Sequence, residues 1–176
     1  AGITPASELD LGGYVADIQA TPSTLLIARQ QGWWRSNNED EWDGTYVSLV
    51  DISDPSGHFV EGASVPVQGY VRRKNDMHIK NGILRVVSSD WSQGSIVETW
   101  NIDDLQNPVG IDEARFGEGE DLYASLFMGD RAFFVTYRRV DPFHAFSIDS
   151  EGLIEERTEY IISGWNDFFR PTFNQS

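Results

Sequence analysis

Short runs of β-branched and aromatic residues alternate along the chain with clusters of Gly, Asp, Asn and Pro, and helical periodicity is nearly absent. The pattern predicts an all-β protein. The runs Leu25-Leu26-Ile27-Ala28, Ile83-Leu84-Arg85-Val86-Val87 and Ala132-Phe133-Phe134-Val135-Thr136 each lead through a polar loop into a second run with a common ending. Those endings are Val50-Asp51-Ile52-Ser53, Trp100-Asn101-Ile102-Asp103 and Phe146-Ser147-Ile148-Asp149. Ile52, Ile102 and Ile148 stand 50 and then 46 residues apart, and a further strand closes on Gly69, Gly119 and Gly164, which lie 17, 17 and 16 residues beyond them.

A period near 45–50 residues with four short strands per unit is the mark of propeller blades, whose sheets pack face to face. In the second unit the strands read Met77-Lys80, Ile83-Ser88, Ile96-Ile102 and Ile111-Phe116. Tight connections at Lys80-Asn81-Gly82 and Met128-Gly129-Asp130 join inner to second strand, Asn-Gly supplying the positive φ a two-residue hairpin needs. The blades are then residues 14–69, 70–119 and 120–164, with a partial fourth over 165–176. A β-barrel or sandwich with as many strands is the alternative, but neither demands constant offsets between corresponding Ile and Gly residues. Propellers close with typically about 4–8 blades, so three blades and a beginning make an incomplete ring. The expectation is completion by self-association or by the remainder of a longer polypeptide.

The segment Gly129-Asp130-Arg131-Ala132-Phe133-Phe134-Val135-Thr136-Tyr137-Arg138-Arg139-Val140-Asp141-Pro142-Phe143, extended back through Leu122-Tyr123-Ala124-Ser125-Leu126-Phe127-Met128, resembles the secreted β-propeller-domain proteins of bacteria and archaea. A second segment from Asp76 through Asn81-Gly82 to Val87 resembles the same family, and the likeness can be followed over roughly residues 14–170. It departs at Phe143-His144, where the family pattern has Leu-Phe, and the segment after Gly164 is cut short. The family domain is several hundred residues long, so the resemblance implies that this chain is a contiguous part of one. It implies a fold and transfers no catalytic residue.

Composition narrows the function. Against 28 Asp and Glu stand 13 Lys and Arg, a net charge of −15, which disfavours nucleic acid and anionic membranes because phosphate neutralisation needs clustered cations. No run approaches the roughly 20 apolar residues of a spanning helix. The 40% hydrophobic and 12% aromatic content is enough for a core. The absence of Cys removes disulfides, thiolate nucleophiles and Cys-ligated metals. An acidic, Lys-poor, aromatic-rich chain suits a secreted, periplasmic or cell-surface bacterial protein, although Ala1-Gly2-Ile3-Thr4-Pro5 shows neither the basic region nor the apolar run of a leader.

Neither G-x-S-x-G nor S-x-x-K occurs, and His58, His78 and His144 are not spaced as zinc ligands, so these imidazoles are read as packing or surface residues. The acidic run over residues 37–44 offers Asn38, Asp40 and Asp43 as candidate ligands for calcium, the one cofactor the sequence suggests, although the spacing is not that of an EF-hand. The acids at Asp51-Ile52-Ser53-Asp54-Pro55, Asp103-Asp104 and Asp149-Ser150-Glu151-Gly152 are explained by turn chemistry.

Sorting loops by face gives a sharper candidate. Connections between second and third strands (31–43, 89–94, 139–142) and between blades (69–75, 119–121, 164–167) emerge on one end of a propeller. They carry Trp33, Trp34, Trp42, Trp91 and Trp165, five of the six Trp, with Tyr70, Arg72, Arg73 and Arg139. Exposed Trp and Arg together are typical binding anchors. The leading expectation is a non-enzymatic propeller segment whose loop face binds a protein, peptide or carbohydrate. The competing readings are a calcium-dependent propeller hydrolase and a purely structural module of a larger extracellular protein.

Overall fold

A computed structural model describes residues 5–30, 44–90, 92–137 and 141–162. They form three four-stranded antiparallel sheets, each a meander in chain order. The first holds β1 (Tyr14–Ala20), β2 (Thr24–Gln30), β3 (Thr45–Asp51) and β4 (Val60–Val67); the second β5 (Met77–Lys80), β6 (Ile83–Asp90), β7 (Gly94–Asn101) and β8 (Val109–Phe116). The third holds β9 (Asp121–Met128), β10 (Arg131–Tyr137), β11 (Asp141–Ile148) and β12 (Ile154–Ile162). Three separate sheets stacked face to face are propeller blades in an open array, and the barrel and sandwich alternatives fall away. No described helix is long and apolar enough to cross a membrane.

The middle sheet shows why period-two alternation is weak in its sequence. Nearly every residue of β6 and the first six residues of β7 are buried, because this sheet has a neighbour on both faces. Alternate residues serve different interfaces. Leu84 and Val86 join Leu26, Ala28, Val47, Leu49, Val65 and Val67 of the first sheet in one apolar core. Val87, Val97 and Phe116 join Phe127, Phe134, Phe146 and Ile148 of the third sheet in another. The second core is aromatic, with Phe116 stacked 5.0 Å from Phe134 and Phe127 edge-on to Phe134 at 5.7 Å.

Turn chemistry explains the acidic corners. Asp54 accepts the N–H and hydroxyl of Ser56 at 2.8 and 2.7 Å, Asp104 the N–H of Gln106 at 2.9 Å, and Asp149 those of Glu151 and Leu153, both at 2.9 Å. Side-chain bonds from Ser56 and Asn107 hold the Asp54 and Asp104 carboxyls below their usual range. At the hairpin between β5 and β6, Asn81 and Gly82 take φ of 51° and 73°, the left-handed pair that a two-residue turn requires.

Residues 5–13 run across the face of the first sheet that is turned away from the second. Ala6 lies beside the turn at Gly57, and the Arg29 guanidinium reaches the carbonyls of Leu11 and Gly12. Leu9 and Leu11 are half-buried there. The opposite end of the array differs: Met128 and Arg131 are exposed, and Phe133 is half-buried, on the face of the third sheet turned away from the second.

Candidate functional site

Of the residues singled out by sequence, Trp33, Trp34, Trp42, Trp91, Trp165, Arg139, Asn38, Asp40 and Asp43 lie outside the described residues. Tyr70, Arg72 and Arg73 can be placed, on the connection from β4 to β5. Tyr70 and Ser89 exchange backbone bonds of 2.9 and 3.3 Å, pinning this connection to the end of β6. A 3-10 turn, Lys74–Asp76, follows. Asp76, only 3% exposed, accepts the backbone N–H groups of Arg72 and Arg73 at 3.3 and 3.0 Å and the Ser125 hydroxyl at 2.5 Å. Burial raises its pKa, against the pull of these bonds. The Arg73 guanidinium donates to the Tyr123 carbonyl of β9, and the N–H of Lys74 donates to Asp17 of β1 at 2.8 Å. This junction therefore ties the inner strands of all three blades together at one end.

A groove of about 680 Å³ opens between the first and second blades. Cross-strand pairing explains its lining. Leu84 faces Trp100, Val86 faces Glu98, and Glu98 in turn faces Glu113, so these side chains share the side of the second blade that meets the first. Near the ring centre that side is apolar. Toward the outer strand it becomes Glu98, Trp100, Glu113 and Arg115, met from the first blade by Pro66 and Gln68.

Gln68 organises the groove. Its backbone N–H donates to Glu98 Oε2 at 3.0 Å, its side-chain amide donates to Glu113, and its amide oxygen accepts from Arg115. Arg115 also donates to Gln93 at 3.3 Å. Glu98 is 4% exposed, and its pKa is pushed up to about 7, chiefly by burial and further by Glu113, with the Gln68 N–H and Arg115 opposing. The Trp100 ring packs over Gly110, where an added Cβ would lie 3.4 Å from Cζ3. Its indole Nε1 is buried without a hydrogen-bond partner, a cost of about 1–3 kcal/mol if nothing meets it.

Sequence reasoning sorted the other five Trp onto loops and passed over this one, together with Glu98. A signal was present. Ser48, Glu98 and His144 each stand four residues before Ile52, Ile102 and Ile148, so every blade buries a polar residue at the same third-strand position. In the first blade Ser48 bonds Arg29 at 2.7 Å and Ser64 at 2.9 Å. In the third, His144 Nε2 lies 3.1 Å from the Thr136 hydroxyl and Nδ1 3.4 Å from Glu156.

That last row has the order of a hydroxyl nucleophile, base and carboxylate. It is sealed, however: Thr136 is fully buried, His144 is 3% exposed with its ring 4.9 Å from Phe116, and the Thr136 hydroxyl also donates to Glu120 at 2.5 Å. No substrate carbonyl could reach it, so the row stabilises the blade. His78 likewise packs, stacked 5.7 Å from Phe127. Among the described residues no group of three or more His, Cys, Asp or Glu converges as a metal site.

The fold defines a class, that of propeller-blade arrays, here with a polar groove between the first two blades. The model of the beta propeller domain matches residues 5–175, and the chain belongs to that family. It is also similar to the uncharacterized protein MJ1554 of Methanocaldococcus jannaschii, with 26% identity over 166 residues, 92% of this chain and 26% of that protein. The chain spans about a quarter of the length of the curated relative it matches.

Proposed function

We propose that the chain is a non-enzymatic binding scaffold, secreted or held at the cell surface, which presents the groove between its first two blades to a ligand. The observation that carries this reading is the groove itself. Two blades wall it, its volume falls within the roughly 300–1,000 Å³ of small-ligand sites, and convergent polar groups surround one aromatic ring. The loop end bearing Tyr70, Arg72 and Arg73 continues the binding surface beside it. Backbone amide shift mapping of the whole chain against a small-molecule fragment library tests the reading. Shifts should cluster at Gln68, Gln93, residues 98–100 and residues 110–115; shifts absent there would overturn it.

Further blades, from the rest of a longer polypeptide or from a second copy, complete the ring in this reading. A hollow of about 760 Å³ on the outer face of the third blade, lined by Met128, Arg131, Phe133, Ala145 and Arg157 among others, supports it. An apolar sheet face left in water invites association. Sedimentation velocity on the chain should give a dimer or higher species, or a monomer that dimerises weakly as concentration rises. A monomer at every concentration up to the millimolar range would overturn completion by a second copy.

A further inference from the structure

The groove's chemistry points to a class of ligand, an inference that rests on the binding-scaffold reading above. Its hydrogen-bonding groups are mixed. Glu98 and Glu113 offer acceptor oxygens, Gln93 offers an amide, and Arg115 has five N–H donors, of which Gln68 and Gln93 engage only part. Beside them the Trp100 ring supplies an apolar surface.

Charge decides between ligand types. Glu113 and Arg115 lie two residues apart on one side of β8 and are joined through the Gln68 amide, so their charges largely cancel. Burial, and further the neighbouring Glu113, push the Glu98 pKa up to about 7. An anion would meet the carboxylates of Glu98 and Glu113, whereas a cation would meet the Arg115 guanidinium set among them; the Asp112 carboxylate is engaged on the other side, accepting the Ile154 N–H at 2.8 Å. A hydroxyl both donates and accepts, and so suits every group in this lining.

We infer that the groove binds a neutral saccharide, one pyranose ring lying against Trp100 with its hydroxyls shared among Glu98, Gln93 and Arg115. The C–H face of the sugar covers the indole. The apolar inner wall and the polar rim match the two sides of such a ring.

The test is isothermal titration of the full chain with cellotetraose, xylotetraose and maltotetraose, with tetralysine and tetragalacturonate as charged comparators. At least one neutral saccharide should saturate, with an affinity that changes less than twofold between 50 and 300 mM salt, on the order of the Debye screening range that governs charged ligands. Trp100→Ala and Glu98→Ala should each weaken it at least about tenfold, the equivalent of about 1.4 kcal/mol. Trp100→Phe, which keeps a smaller aromatic face, should weaken it less than Trp100→Ala does, and Lys80→Ala, away from the groove, should leave it unchanged. Saturation by tetralysine or tetragalacturonate alone, mapping to the same residues, would overturn the saccharide assignment and leave the scaffold reading standing. No response to any of the five would overturn the saccharide assignment, and the fragment mapping above decides separately whether the groove binds ligands at all. Saccharide binding undiminished in Trp100→Ala and Glu98→Ala would place the ligand elsewhere and overturn the proposal.

Discussion

The backbone N–H of Ile102 donates to the carbonyl of Gly82 at 2.8 Å, closing the third strand of its blade onto the turn that opens the second. Ile52 makes the same bond to Ser23 and Ile148 to Asp130, both at 2.9 Å. The three Ile are therefore structural equivalents, yet they differ in burial. Ile102 and Ile148 insert against the preceding blade and are 4% and 0% exposed, whereas Ile52, with no described blade before it, is only partly covered. Truncation to Ala should cost about 2–5 kcal/mol at Ile102 and Ile148 and clearly less at Ile52. Urea denaturation of the three variants checks this, and equal losses would contradict the packing order.

The first and second blades are also stapled at their outer edge. The Ala63 N–H donates to the Leu105 carbonyl at 2.7 Å, and the Gln106 side chain donates to the Glu61 carbonyl at 2.7 Å. Gly62 permits this approach, since a Cβ there would lie 2.7 Å from Leu105 O and 2.9 Å from Leu49 O, both backbone atoms that cannot swing aside. Gly62→Ala should cost about 1–3 kcal/mol through overpacking and speed amide exchange at Ala63. Unchanged exchange at that amide would sink the staple.

Arg85 is 1% exposed on the side of the second blade that meets the third, and it donates to the Gly129 carbonyl at 2.7 Å. Burial depresses its pKa. Arg85→Ala removes the donor and opens a cavity, with an expected loss of about 2–4 kcal/mol, while Arg85→Met, which refills most of the volume, should lose less. The neighbouring ion pair of Lys80 and Asp130, 2.6 Å long with Asp130 exposed and Lys80 half-buried, should contribute about 1 kcal/mol or less. Thermal unfolding of Arg85→Ala, Arg85→Met and Lys80→Ala should rank them in that order of damage.

Glu98 makes stability depend on pH. Its folded pKa, pushed up to about 7, lies above the ordinary value of 4.5, so the folded state holds this proton more tightly than the unfolded state does. Stability from this group is thus greatest below pH 4.5 and declines as pH rises through 7, by on the order of 3 kcal/mol in all. Glu98→Gln keeps an acceptor for the Gln68 N–H without the charge. It should flatten this decline and exceed the natural protein in stability at pH 8. Denaturation at pH 5 and pH 8 measures the difference, and a parallel decline in both proteins would show that Glu98 is not its source.

Much of the architecture was legible in the residues themselves. Strand identity followed from β-branched and aromatic runs, the hairpin at Asn81-Gly82 from its need for positive φ, and the tandem unit from the offsets of Ile52, Ile102 and Ile148. These are local properties: a turn, an alternation and a strand end are each decided within a few residues, so the chain displays them without its tertiary context. The acidic corners at Asp54, Asp104 and Asp149 belong with them, because an Asx turn closes over two to four residues.

The groove was of another kind. Glu98, on a strand that otherwise reads as buried, gives no sign in sequence of what will face it, and Gln68 lies 30 residues away on a different blade. Trp100 looks like any core aromatic in its own strand. Only the stacking of one sheet on the next determines which residues on an inward face meet apolar neighbours near the centre and which meet an opening toward the rim. Alternation along a strand assigns a side chain to one face of its sheet. The distance and angle between adjacent blades decide whether that face is filled by protein at a given point, and those are set by contacts made across the whole array.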